Sequence, residues 1–213
     1  MRGRQTLLDG APDGVFLDLF TGENGLDRAS FVVDEAMFFG ATQSWWGRRG
    51  PRVRPHEGLD ICRFYDAHGE RMTLAPGVKI PVTFDGEIQA MMADDFMGRS
   101  ICVYHTISGV SFFSVYAHVE PVPTFGVGDY VGQGEIIATL SDPKRFGLGI
   151  CPHLHLSLMQ VDPKSSAAHP QNWRWETLWE TQGLGLFNPE TLLGDPLMVS
   201  EDAADAMLWK PME

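Results

Sequence analysis

The sequence predicts a mostly β protein built from antiparallel sheets. Short apolar segments recur along the chain, and turn signals such as Asp85-Gly86, Ser108-Gly109 and Gly132-Gln133-Gly134 separate them. Strands this closely spaced suit an antiparallel sheet architecture. The chain has 213 residues, of which 44% are apolar and 21% charged, and this composition is typical of a globular protein with one good core.

The individual strands follow from these apolar segments. An N-terminal β segment is expected to contain strands at 15–20 and 31–33. Further strands are predicted at 72–74, 82–84, 87–92, 99–105, 110–118, 129–131, 135–140 and 154–159. A short C-terminal helix is predicted at 200–208, because Ser200 can cap it and two acidic residues occupy its first turn.

One predicted strand has a histidine-bearing face. Residues 152–158 have the sequence Pro-His-Leu-His-Leu-Ser-Leu. Because side chains alternate along a strand, His153, His155 and Ser157 share one face and the three leucines share the other. On a helix, positions two apart diverge, so the two histidines could not converge on one site.

A second motif lies upstream, where residues 56–60 have the sequence His-Glu-Gly-Leu-Asp. It partly matches the helical zinc-protease signature, in which two histidines four apart bind the metal. Here Asp60 stands at the second histidine position, and Pro55 and Gly58 disfavour a helix. We therefore predict a loop entering a strand, with His56 and Asp60 directed to one site.

Four motifs in order resemble those of the lysostaphin-type (LytM-like, M23) peptidoglycan endopeptidases. They are His56-x-x-x-Asp60, residues 115–119 around His118, the glycine-rich segment 126–137, and His153-Leu154-His155. The resemblance covers residues 52–193 and includes a closing Phe187-Asn188-Pro189. It implies a sandwich-like antiparallel β domain and zinc-dependent hydrolysis of peptide bonds in peptidoglycan cross-links or bridges.

The resemblance also implies the role of each site residue. His56, Asp60 and His155 correspond to the zinc ligands, and His118 and His153 to the two histidines that assist catalysis. Catalytic zinc commonly takes three nitrogen or oxygen ligands and keeps a water in the fourth position. The bound metal makes hydroxide available near neutral pH and polarises the scissile carbonyl. Which histidine is the general base remains open.

Three other functions fit part of the pattern. A non-catalytic regulatory or cell-wall-binding module of the same family is the main alternative, although such modules lack metal residues and all three are present here. The segment 126–140, interpreted as a glycine-rich hairpin, also resembles lipoyl and biotinyl carrier domains, but it has no lysine at its tip. Two histidines and a carboxylate are also the ligand set of non-haem iron oxygenases, yet the two extra histidines favour hydrolysis.

The motifs suggest a division of the chain. We expect an N-terminal decoration at 1–40, the catalytic domain at 41–193 with an insertion near 162–186, and a C-terminal extension at 194–213. Within the insertion, the tryptophans are interpreted as packing anchors: Trp173, Trp175 and Trp179. Trp45 and Trp46 either pack in the core or line a substrate groove. Tyr116, two residues before His118, is a candidate to line the site.

The remaining histidines and the cysteines have less specific patterns. His68, His105 and His169 lie next to turn or loop signals and are interpreted as solvated residues. The three cysteines are Cys62, Cys102 and Cys151, which allow at most one internal disulfide. Cys62 and Cys151 lie two residues from site residues and are expected to face the site, most simply as buried thiols.

Charge and hydropathy limit the partners. A net charge of −12 opposes nucleic-acid binding, and the basic segment 48–54 is interpreted as a solvated loop rather than a contact for an anionic substrate. The sequence has no apolar run long enough to span a membrane, and residues 1–4 lack the apolar stretch of a secretory signal. The resemblance nevertheless implies peptidoglycan peptides as substrate and a location in the periplasm or cell envelope.

Overall fold

The computed structural model describes residues 14–46, 50–143, 150–162, 164–165, 169–170, 173, 175–193, 198–199 and 209–212. Within these residues the α-helix α1 spans Val15–Asn24, and 3₁₀ segments span Glu35–Met37, Trp175–Glu180 and Pro189–Leu192. The strands are β1 Ser30–Val33, β2 Leu59–Ile61, β3 Arg63–Tyr65, β4 Arg71–Thr73, β5 Lys79–Pro81, β6 Gly86–Asp94, β7 Gly98–Ile107, β8 Val110–Ala117, β9 Val119–Pro121, β10 Tyr130–Val131, β11 Ile136–Leu140, β12 Leu154–Val161, β13 Leu184–Phe187, β14 Met198–Val199 and β15 Lys210–Pro211.

These strands form three sheets within the described residues. The largest has the order β10-β6-β7-β8-β12-β13, with β2 also paired to β12, and all its pairs are antiparallel. A second sheet has the order β14-β1-β3-β4-β15, in which the two outer pairs are parallel. The third is the antiparallel sheet β5-β11-β9. The predicted mostly β, antiparallel fold is confirmed.

The two faces of the largest sheet pack against different parts of the chain. On one face, side chains such as Leu154, Leu156 and Tyr116 join the main core with Phe16 and Phe31 from α1 and β1. The opposite face packs in a smaller cluster with residues of the insertion: Trp173, Trp175 and Leu178. The face with His155 and Ser157 therefore lies beneath the insertion, and the leucine face closes the core, as the alternation predicts.

The strand predicted at 15–20 is wrong, because these residues begin helix α1. Phe16, Leu17 and Phe20 are its buried residues, and the stacked rings of Phe16 and Phe20 lie one helical turn apart. Gly25 ends the helix in the left-handed conformation with φ 66°. The spacing of these apolar residues and the following glycine are helix signals that the strand interpretation overlooked.

Two further predictions of local structure need correction. Residues 82–84 are not a strand, since β5 ends at Pro81 and the Thr83 backbone N–H donates to the Tyr116 hydroxyl at 2.9 Å. The segment 126–140 is not a hairpin, because β10 pairs with β6 whereas β11 pairs with β5 and β9. The other strands predicted after Asp60 lie within two residues of the observed bounds.

His105 is also not a solvated turn residue. The turn between β7 and β8 is at Ser108 and Gly109, both with positive φ, so His105 lies inside β7 and is fully buried. Its Nε2 lies 2.7 Å from Ser114 Oγ, and its Nδ1 donates to the Asp85 carbonyl oxygen at 3.0 Å. Burial lowers the pKa of His105 to about 4, which keeps the ring neutral.

The C-terminal helix predicted at 200–208 lies outside the described residues. No helix of the part that is described is long and apolar enough to cross a membrane.

Candidate metal centre

Two adjacent strands and the loop before them assemble the centre. β2 pairs with β12 so that Asp60 lies directly opposite His155, and cross-strand partners project from the same face. His56 lies in the loop that enters β2, as predicted. Gly58 permits this approach, since a Cβ there would lie 2.5 Å from the Leu156 carbonyl oxygen and 2.6 Å from His155 Nε2.

The three predicted ligands converge. His56 Nε2 lies 3.1 Å from His155 Nδ1 and 3.3 Å from Asp60 Oδ2, and His155 Nδ1 lies 2.9 Å from Asp60 Oδ1. Four-coordinate zinc with bonds of about 2.0–2.1 Å places its ligand atoms about 3.3 Å apart. The observed separations of 2.9–3.3 Å are at or just below this spacing, so the three side chains are close enough to hold one ion.

The outer nitrogens of the two histidines have partners that can take the ring proton when a cation binds the inner nitrogens. His56 Nδ1 lies 3.1 Å from the Phe38 carbonyl oxygen, which can only accept, so Nδ1 carries the proton and Nε2 presents a lone pair. His155 Nε2 lies 2.8 Å from Ser157 Oγ, a partner that can accept its proton and leave the Nδ1 lone pair facing Asp60. Three converging electron-pair donors of N, N and O type fit a divalent ion such as zinc.

Asp60 is held ionised within this cluster. Burial alone would raise the pKa of its carboxyl group, but the favourable interactions with His56 and then with His155 outweigh burial and lower the pKa well below its usual value. Trp45 Nε1 donates to Asp60 Oδ2 at 2.6 Å, and Arg52 lies 3.8 Å from the same oxygen. Trp45 is thus a buried partner of a candidate ligand, which sequence reasoning did not identify.

The two predicted catalytic histidines lie beside this group. The His118 and His153 rings are 4.3 Å apart, and the His118 ring is 6.3 Å from the His155 ring. His153 Nδ1 donates to the Cys151 carbonyl oxygen at 3.0 Å, so its Nε2 carries a lone pair. Burial lowers the pKa of both His118 and His153, and neighbouring histidines lower it further.

His118 reaches the site through an unusual backbone conformation. Its φ of 61° lies in the left-handed region, between the end of β8 and the start of β9. Three backbone contacts hold it there: its N–H donates to Met97, and its carbonyl oxygen accepts from Ser141 N and Ser141 Oγ. This conformation breaks strand alternation, which explains why the expectation for Tyr116 is wrong. Tyr116 lies in the core on the opposite face, near Phe16.

Aromatic side chains cover the centre. His56, Asp60 and His155 are only 1%, 2% and 2% exposed, whereas His118 is half-buried. The Trp175 ring packs edge-on against His155 at 5.7 Å, and the Trp45 ring packs against His153 at 5.0 Å. The buried positions of Trp173 and Trp175 agree with packing anchors, and the side chain of Trp179 lies outside the described residues.

The basic segment before His56 serves mainly to position the chain. Arg54 donates through both Nε and a terminal nitrogen to Glu180 Oε1, which ties the loop to the end of the 3₁₀ segment. Arg52 donates to the carbonyl oxygens of Gln43 and Ala36 and lies 4.5 Å from the centre of the Trp46 ring. Arg48 and Arg49 lie outside the described residues.

All three cysteines are free thiols. Cys62 and Cys102 are fully buried, and Cys151 is half-buried. Burial, followed by a hydrogen bond with Cys151, raises the pKa of Cys62 well above its usual value. The same thiol–thiol hydrogen bond lowers the pKa of Cys151. Cys62 and Cys151 are therefore in contact next to the centre, and Cys102 is separate from them.

Comparisons of the sequence with known protein families and with curated proteins found no match. A comparison of the structure found the catalytic domain of lysostaphin from Staphylococcus simulans, with 24% identity over 52% of this chain and 71% of that domain and a TM-score of 0.39. A zinc-containing peptidase from Vibrio cholerae matches with 21% identity and a TM-score of 0.38, over 59% of this chain and only 34% of that protein. The SpoIIQ–SpoIIIAH pore-forming complex matches with 15% identity and a TM-score of 0.45, over 92% of this chain and 99% of that chain. Lysostaphin is thus one of the solved structures to which this chain is similar.

Proposed function

We propose that the protein is a zinc-dependent endopeptidase that hydrolyses peptide bonds in the cross-links or bridges of peptidoglycan. The observation that carries the proposal is the convergence of His56, Asp60 and His155 with separations of 2.9–3.3 Å, beside two further histidines. The donor set supports zinc, and the resemblance of the four motifs supports the peptidoglycan substrate.

In this proposal His56, Asp60 and His155 hold the ion. Bound zinc supplies Lewis-acid chemistry, which activates water near neutral pH and stabilises charge on the carbonyl oxygen. The side chains around the ligands orient them: Phe38 and Ser157 fix the two histidine rings, and Trp45 fixes the carboxylate.

The two other histidines move the proton. His153 is the better base, because its Nδ1–H is engaged by the Cys151 carbonyl oxygen and its Nε2 lone pair is available. It accepts a proton from the attacking water and returns it to the leaving amine. His118, 4.3 Å away, is placed to hydrogen bond to the reacting carbonyl oxygen. The lowered pKa of His153 favours the neutral, proton-accepting ring at neutral pH, so activity should fall only as the pH drops through this lowered value.

The substrate class also determines where we place the protein. Peptidoglycan peptides lie outside the cytoplasmic membrane, so the proposal includes a location in the periplasm or cell envelope. The net charge of −12 supports a partner other than nucleic acid.

A non-catalytic regulatory or cell-wall-binding module is the second candidate. It is favoured by the burial of the three ligand side chains beneath Trp45 and Trp175, since a catalytic zinc needs an open position that substrate can reach. His118 is the one member of the centre that is only half-buried, and it marks the side from which a peptide would approach.

Digestion of purified sacculi by the zinc-loaded protein tests the proposal. We expect the wild type to release soluble muropeptides and to retain one zinc per chain, whereas His155→Ala should lose both properties. His68→Ala is the matched control, because His68 lies in an exposed turn and should leave both unchanged. Release by His155→Ala at the wild-type rate would refute the ligand role. Zinc retention without any release by the wild type would favour the non-catalytic module.

A further inference from the structure

A pair of thiols lies beside the metal centre, and the proposed hydrolysis uses neither of them. Cys62 follows Asp60 by two residues and Cys151 precedes His153 by two residues. β2 and β12 pair as far as Ile61 and Leu154, so Cys62 and the segment 151–153 adjoin the same end of this strand pair. Both thiols pack in the main core, Cys62 within it and Cys151 against its edge. The side-chain hydrogen bond between the two thiols agrees with this placement.

The two thiols differ in exposure. Cys62 is fully buried in the main core, whereas Cys151 is half-buried and packs against the edge of that core. A small oxidant can therefore reach Cys151 first, and Cys62 is the buried member of the pair. Exposed thiols that lie next to a second thiol are the usual sites of reversible oxidation.

A buried cation adjoins the pair. Arg63 directly follows Cys62 and is buried, and after the hydrogen bond from Cys62 its positive charge contributes to the lowered pKa of Cys151. Cys102 is separate from this pair, because it is fully buried in the smaller cluster. Burial alone raises the pKa of its thiol. The chain therefore contains its own unreactive reference thiol.

We propose that Cys62 and Cys151 form an oxidisable dithiol, which a peroxide converts into an intramolecular disulfide beside the metal centre. The Cys151 thiolate attacks one oxygen of the peroxide, the O–O bond breaks, and a sulfenic acid and one water result once the leaving hydroxide is protonated. Cys62 then attacks the sulfenic sulfur, the S–S bond forms and a second water leaves. Two thiols are oxidised by two electrons, one peroxide is reduced, and a dithiol reductant reverses the change.

The disulfide would connect two segments that carry site residues. Cys151 also provides the carbonyl oxygen that accepts from His153 Nδ1, so the cross-link fixes the backbone that orients this histidine. On the other side it holds the end of β2, which contains Asp60. This inference concerns thiol chemistry and stands whether or not the protein hydrolyses peptidoglycan.

Thiol counting on the intact 213-residue chain tests the proposal. The reduced protein is treated with hydrogen peroxide, denatured, and titrated for free thiols, and tryptic peptides are examined by mass spectrometry. We expect the count to fall from three to one, with one cross-linked peptide pair containing Cys62 and Cys151. Cys102→Ala, the matched control, should also lose two thiols and form the same cross-link.

The single variants distinguish this reaction from non-specific oxidation. Cys62→Ser should form no intramolecular disulfide and should accumulate a sulfenic acid at Cys151 that dimedone traps. Cys151→Ser changes the more exposed partner, so it keeps the test valid if Cys62→Ser does not fold, and it too should form no disulfide. Retention of all three thiols by the wild type, a disulfide that includes Cys102, or a disulfide between two chains would overturn the proposal.

Discussion

His105 and His155 have similar surroundings, yet only one of them belongs to a candidate site. Both are buried on strands of the largest sheet, and each has Nε2 within 2.8 Å of a serine hydroxyl, Ser114 or Ser157. They differ at the other nitrogen. His105 Nδ1 donates to the Asp85 carbonyl oxygen, whereas His155 Nδ1 faces His56 Nε2 and Asp60 Oδ1.

This difference shows what makes a buried histidine a metal ligand. Burial and a serine partner are common to both residues and do not distinguish them. Around His105 each ring nitrogen has its own partner, so the ring is satisfied without an ion. Around His155 the donor atoms of two histidines and a carboxylate lie close enough to one another to share a single ion. The following predictions test this contrast.

Removal of a ligand should have the largest effect. We expect His56→Ala to lower zinc affinity by more than about 100-fold. Loss of a residue that only hydrogen bonds to a ligand costs up to about 100-fold, and loss of a ligand itself should cost more. His105→Gln should leave zinc affinity unchanged and lower the free energy of unfolding by about 1–3 kcal/mol. Competition with a chromogenic chelator measures the affinity, and urea denaturation measures the stability. Equal losses of zinc affinity in the two variants would contradict the distinction between the candidate ligands and His105.

The pH dependence of stability should distinguish His105 next. The pKa of His105 is about 4 in the folded protein and 6.5 in the unfolded chain. Between these two pH values the unfolded chain binds a proton that the folded protein does not bind. Stability is therefore full above pH 6.5 and falls as the pH approaches 4. Between pH 7.5 and 4.5 the wild type should lose about 2–3 kcal/mol more than His105→Gln, measured by urea denaturation. Parallel pH profiles of the two proteins would show that His105 does not titrate in this way.

The two serines provide a smaller effect. Ser157→Ala removes the partner that orients His155 and should weaken zinc binding by about 10–100-fold. Ser114→Ala removes the equivalent partner of His105 and should leave zinc binding unchanged, at a cost of about 1–3 kcal/mol in stability. Calorimetric titration of the metal-free variants with zinc measures the first effect. Unaltered zinc affinity in Ser157→Ala would mean that the His155 ring is held by other contacts.

The comparison also shows what could be predicted from the sequence. The ligand strand was predictable because His153, His155 and Ser157 alternate with leucines, and the order of the motifs placed His56 and Asp60 at the same site. His105 was misjudged because a turn signal three residues later does not reveal which face of the strand is buried. Its partners, Asp85 and Ser114, lie 20 and nine residues away and become neighbours only in the folded sheet.

Other errors have equally local causes. The conformation of His118 depends on tertiary contacts with Met97 and Ser141, so no pattern around residue 118 could predict that strand alternation stops there. Trp45 was predictable as buried, but its hydrogen bond to Asp60 depends on how a loop folds back over β2. The helix α1 is different, because the spacing of Phe16 and Phe20 and the following Gly25 contained the necessary signal.

The smallest expected effect concerns what covers each histidine. His105 packs against the rings of Phe84 and Phe112, whereas His155 lies beneath the 3₁₀ segment Trp175–Glu180. Glu180, the last residue of that segment, pairs with Arg54. The Arg54 and Glu180 side chains are 34% and 64% exposed, so water screens their attraction. We expect a double-mutant cycle of Arg54→Ala and Glu180→Gln to give a coupling energy below about 1 kcal/mol.

The reason is that apolar contacts hold this segment. Trp175 packs on His155, and Leu178 is almost fully buried in the same cluster. The coupling energy, obtained from urea denaturation at low and high salt, should decrease further as salt is added. A coupling energy above about 2 kcal/mol would instead show that the Arg54–Glu180 ion pair contributes strongly to holding the 3₁₀ segment over His155. In that case, loss of the Glu180 charge should increase the access of zinc and chelators to His155. The rate of zinc release from Glu180→Gln would measure this change.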